Sequence, residues 1–131
     1  MVGKVVQKND PVKTREAVAA VKAWVAQPGS VDKPSRSELA DACRRTVRAL
    51  AEELPGQTVE LRVPPFVAVQ CVEGPRHTRG TPPNVVETDP LTWLQLATGQ
   101  LEFDEAVARG VVDASGSRCA EIAAGLPVVT L

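Results

Sequence analysis

Aromatic residues are scarce in this 131-residue chain, which has two Phe, two Trp and no Tyr. That leaves little material for a platform on which nucleic-acid bases stack. An excess of one charge is also missing, with 15 Lys and Arg against 16 Asp and Glu and a formal net charge of −1. Affinity for nucleic acid or an anionic membrane grows with the phosphates neutralised, so a balanced chain has no bulk attraction to either. No run approaches the roughly 18–20 apolar residues of a membrane span, and residues 1–10 lack the apolar centre of a signal peptide. Cys43, Cys71 and Cys119 are odd in number and widely spaced, with no CxxC, which argues against a disulfide framework and a zinc site. One His and no ordered carboxylate set leave little for a catalytic metal. The expectation is a cytoplasmic protein with reduced thiols, no cofactor, no metal and no integral membrane segment.

What is present is core material, with 44% of all residues apolar, in a chain the length of one domain. Asp10-Pro11 supplies an N-cap and a first-turn proline. Ala17, Val18, Val21, Trp24 and Val25 then recur at helical spacing, which predicts a helix over 11–27. Ser35-Arg36-Ser37-Glu38 reads as a capping box for a second helix. Its inner face is Leu39, Cys43, Val47, Leu50 and Leu54, and Pro55-Gly56 ends it. The period then changes from 3.6 to 2. Residues 58–63 alternate as a strand with one wet face. Phe66 to Val72 is apolar on nearly both faces, as in a central strand covered on both sides. Strands are also predicted at 84–88 and 111–114. Asp89-Pro90 opens a helix through Trp93, Leu94 and Leu96 to Gly99, a short helix runs from Phe103 to Arg109 before Gly110, and a last helix passes through Cys119 and Ile122.

The run WLQLATGQLEFDEAVARGVVDASG, Trp93 to Gly116, resembles the C-terminal part of sterol-carrier-protein domains, through Gly99, Leu101, Gly110 and Gly116. Two of these glycines stop two helices and let the chain re-enter the sheet. The stretch PPFVAVQCVEGPRHTRGTPPNVVETDP, Pro64 to Pro90, is similar to a bacterial branch of stand-alone sterol-carrier-like proteins. The resemblance implies an α/β (α+β) fold: a curved, mostly antiparallel sheet of four to five strands with helices packed on one side. It divides a single domain, 1–131, into a core at 35–126 and an N-terminal extension at 1–34 with one extra helix.

Among polar residues, Arg76, His77 and Arg79 stand together beside Gly80 and suit a carboxylate or phosphate head group. The competing reading is a solvated hairpin loop whose arginines pair with Glu73 or Glu87. Cys71 and His77 are the pair an enzyme would use, but a nucleophilic thiolate needs an adjacent cation, and Cys71 sits in an apolar strand. Glu102, Asp104 and Glu105 open a short helix, where carboxylates favour the positive end of the dipole. The resemblance places an apolar ligand site between sheet and C-terminal helices, lined by Phe66, Val67, Val69, Trp93, Leu94, Leu96, Leu101, Phe103 and Val107, with Arg76, His77 and Arg79 at its polar mouth. Without the resemblance the same apolar side chains are ordinary core. The leading expectation is therefore non-catalytic binding of a fatty-acyl, acyl-CoA or sterol-like lipid. Its rival is an accessory or interaction module with a filled core, dimeric or partnered through the 11–27 helix. A Cys71/His77 enzyme ranks third.

Overall fold

The computed structural model describes residues 9–74 and 84–131. Helix α1, Pro11–Ala26, begins where the Asp10 carboxylate accepts hydrogen bonds from the Val12 and Lys13 N–H groups at 3.0 and 3.3 Å. Thr14, Ala17, Val18, Val21, Trp24 and Val25 make its buried face. Helix α2, Arg36–Glu53, has the full capping box: Glu38 N–H donates to Ser35 Oγ at 3.1 Å, and Ser35 N–H donates to Glu38 Oε1 at 3.0 Å. Two donors at a helix start that have no intrahelical partner are thus satisfied within four residues. Among the described residues no helix is long and apolar enough to cross a membrane.

Strands β1 (Val59–Val63), β2 (Val67–Cys71), β3 (Asn84–Thr88) and β4 (Val112–Ser115) form one sheet in the order β2-β1-β3-β4. The two outer pairings are antiparallel and the central β1–β3 pair is parallel. The register sets Leu61 beside both Val69 and Val86. Val59, Leu61, Val63, Val86 and Val112 on that face are buried. Glu60, Arg62, Gln70, Glu87 and Asp113 occupy the other, where Arg62 pairs with Glu60 and, at 3.8 Å, with Glu87. Helices cover one face only, as the alternation in 58–63 predicts.

Two elements correct the expectation from sequence. The Phe66–Val72 run is not a central strand covered on both sides. Its strand is Val67–Cys71, it lies at the sheet edge, and Ala68 and Gln70 are exposed. The apolar residues that made the run look continuous flank the strand and dock elsewhere. Phe66 lies beneath Arg36, and Val72 turns to φ +69° with its N–H donating to the Leu54 carbonyl at 2.6 Å. The last helix is a 3₁₀ segment, Cys119–Gly125, whose Cys119 and Ile122 face the core.

Helices α3 (Pro90–Ala97) and α4 (Phe103–Ala108) stop before Gly99 at φ +79° and Gly110 at φ +76°. Glycine adopts that left-handed backbone without a Cβ clash. α2 lies across β2, and α1 and α3 pack against α2. The Trp93 indole N–H donates to Thr46 Oγ1 at 2.8 Å, and that hydroxyl donates to the Ala42 carbonyl at 2.7 Å. The largest core side chain is thereby hydrogen-bonded as well as buried. α1 shares this core and is tied in by Gln95 Nε2 to the Val25 carbonyl at 3.3 Å and Arg15 Nη1 to the Thr130 carbonyl at 3.0 Å.

Candidate functional site

Most residues of the expected apolar site are buried in the core. Trp93, Leu94 and Leu96 on α3, with Leu101 and Phe103 before and at the start of α4, belong to the buried core cluster. Phe66, Val67 and Val69 are half-buried and pack against it. Val107 stands apart, 39% exposed on the outer side of α4. Where Leu96, Leu101 and Phe103 meet the 3₁₀ segment, the hollow they border is about 80 Å³. Ligand pockets usually span about 300–1,000 Å³. Arg76, His77 and Arg79 lie outside the described residues. The flanking residues Gly74 and Asn84 lie at the end of the sheet marked by the Val59↔Cys71 and Val59↔Asn84 pairs.

The opposite end of the sheet opens into a cleft of about 570 Å³. Four distant elements meet there: the last turns of α1 through Trp24, the start of α2 through Arg36 and Leu39, the β1–β2 turn through Pro65 and Phe66, and the start of α3 through Pro90 and Leu91. Lys33 and Pro34 close it from the connector between α1 and α2. Phe66 is held from several sides. Its N–H donates to the Val63 carbonyl at 3.0 Å, its carbonyl accepts from Arg44 Nε at 3.1 Å, and the Arg36 guanidinium sits 5.4 Å from its ring centroid. Phe66 is the one residue of the expected apolar set on these walls.

A second cleft, about 610 Å³, runs between α1, the end of α2 and the C-terminal tail. Two of its charged side chains are engaged in the fold itself, since Glu52 accepts from the Asn9 N–H and Arg15 donates to the Thr130 carbonyl. The first cleft is therefore the stronger candidate for an apolar ligand. Trp24, Arg36, Leu39 and Leu91 escaped the sequence reading as site residues because each fits its own helix without further explanation. Only tertiary packing brings them together.

All three cysteines are buried and free. Burial, reinforced by the nearby Asp89 carboxylate and opposed by Arg44, pushes the Cys43 thiol up to about 12. Burial pushes Cys71 to about 11, and burial also raises Cys119, whose thiol donates to the Ser115 and Val85 carbonyls at 2.9 and 3.4 Å. A thiol held in its neutral form is a poor nucleophile. Among the described residues no group of three or more His, Cys, Asp or Glu stands close enough to hold a metal ion.

Residues 35–128 match a family model described as "Bacterial SCP ortholog". α1 and the connector with Lys33 and Pro34 precede the matched segment. Among curated proteins none matches the chain.

Proposed function

Because the chain belongs to the family of bacterial sterol-carrier-protein (SCP) orthologs, we propose that it is a non-catalytic binder of an apolar small molecule. The ligand is of the fatty-acyl, acyl-CoA or sterol-like kind. The family match over residues 35–128 carries this reading, and the cleft bounded by Trp24, Leu39, Phe66 and Leu91 supports it with a place for the ligand. Its volume of about 570 Å³ suits a drug-sized or single-chain molecule. Burial of apolar surface drives such binding at about 25 cal/mol per Å² before association costs are subtracted. Thiols held neutral at Cys43 and Cys71 count against the rival reading of a cysteine nucleophile.

Purified protein is expected to carry or take up a lipid in native mass spectrometry. Bound cis-parinaric acid is expected to fluoresce and to be displaced by unlabelled fatty acid. Silence in both measurements overturns the reading. The small hollow beneath Leu96, Leu101 and Phe103 favours a second reading, an interaction module with a filled core that meets a partner or a second copy through α1. A lipid-free protein that runs as a dimer in light scattering supports that alternative.

A further inference from the structure

The cleft is apolar on its walls and cationic at its rim. Trp24, Leu39, Phe66 and Leu91 supply the walls, and the exposed Lys33 and Arg36 stand among them. Among the described residues neither Lys33 nor Arg36 is part of an ion pair. Residues 1–8 and 75–83 contain no Asp or Glu. The acid that lines the cleft, Asp89, is already engaged as the N-cap of α3. Its carboxylate accepts from Thr92 N–H at 3.2 Å and from the Thr92 hydroxyl at 2.6 Å. Arg36 is steadied over the Phe66 ring, so part of the ordering entropy of its side chain is already spent before a ligand arrives. Trp24 and Lys33 lie upstream of the segment matched by the family.

We propose that the cleft selects a single-chain amphiphile with an anionic head group. Lys33 and Arg36 receive the head, and the chain lies against Trp24, Leu39, Phe66 and Leu91. The helix before the family segment is then a specificity element, since it brings the Trp24 wall and the connector that carries Lys33. This inference rests on the proposed function and narrows it. A guanidinium held in place gives charge-assisted bonds to a carboxylate or phosphate monoester, and a second cation beside it strengthens the preference. A neutral alcohol of the same chain length gains the apolar burial alone.

The test uses the whole chain and a neutral probe, N-phenyl-1-naphthylamine, displaced by dodecanoate, dodecyl phosphate or dodecanol. Dodecanoate and dodecyl phosphate are expected to displace it at concentrations about five- to tenfold below dodecanol, the scale of one or two partly exposed charge-assisted contacts. In the Lys33→Gln/Arg36→Gln double variant the ratio between dodecanol and dodecanoate displacement concentrations is expected to shrink below about twofold. Both side chains are exposed, and unaltered circular dichroism serves as the folding control. Arg36→Lys, which keeps the charge, is expected to retain most of the advantage. Equal displacement by all three ligands in the wild type overturns the inference and leaves the proposed function standing. No binding of the probe or of any of the three overturns the proposed function first.

Position is read independently from the two tryptophan indole N–H resonances in a ¹⁵N spectrum. Dodecanoate is expected to shift Trp24, which lines the cleft, and to leave Trp93, which is hydrogen-bonded to Thr46 in the core. A shift of Trp93 with Trp24 unmoved places the ligand between sheet and helices and overturns the cleft assignment.

Discussion

At the scale of single residues the tightest constraint lies where α2 hands the chain to β1. Gly56 adopts φ +149°, and a Cβ there would meet the Val72 carbonyl oxygen at 2.1 Å and the Glu73 nitrogen at 2.5 Å. Both are backbone atoms, and they cannot rotate away. Val72 is itself fixed, with its N–H bonded to Leu54 and its carbonyl accepting from Thr58 N–H at 3.1 Å. Gly110 offers the contrast. Its φ of +76° is equally left-handed, but nothing lies within 4 Å of a Cβ built on it. Gly110→Ala therefore isolates the conformational penalty, about 1–2 kcal/mol. Gly56→Ala adds a steric clash and is expected to destabilise the protein by clearly more than that. Urea midpoints of the two variants, read by far-ultraviolet circular dichroism, compare them directly. Equal losses would mean that the 54–58 turn yields easily.

At the scale of elements, local chemistry explains why the helices start where they do. Ser35 and Glu38 satisfy each other's backbone, and Ser35→Ala removes the acceptor for Glu38 N–H. The expected loss is about 1 kcal/mol, visible as a lower thermal midpoint with the same α/β spectrum. The caps at Asp10, Ser35 and Asp89 were legible in the sequence because each closes within about four residues. The wet face of β1 was legible because alternation is local as well. Strand order was not. β2 looks central when Phe66 and Val72 are counted as strand, and only the placement of those two against Arg36 and Leu54 reveals an edge. The 3₁₀ segment eluded periodicity because seven residues cannot separate a repeat of 3.0 from one of 3.6. The cleft was the least legible feature. Trp24, Arg36, Phe66 and Leu91 come from four elements, and no spacing along the chain links them.

At the scale of the whole molecule the question is whether α1 is an ornament on the family core or a part of it. The matched segment begins at residue 35, yet Val18, Val21, Trp24 and Val25 are all buried, two of them with no exposed surface at all. Four such side chains stabilise by about 6–12 kcal/mol if each contributes roughly 1.5–3 kcal/mol on full burial. That gross gain works against the cost of ordering the helix, and the rest of the core loses its half of the contact when the helix is removed. Removing α1 would also bare the parts of α2 and α3 that it covers, and it would free the Arg15 contact to Thr130 and the Gln95 contact to Val25. A chain starting at residue 35 is therefore expected to lose cooperative unfolding. It should keep much of its far-ultraviolet signal, lose near-ultraviolet tryptophan dichroism and bind anilinonaphthalene sulfonate, the signs of a collapsed state without fixed packing. A sharp, reversible thermal transition in the shortened chain would mean instead that residues 35–128 hold their own core, with α1 serving the cleft alone.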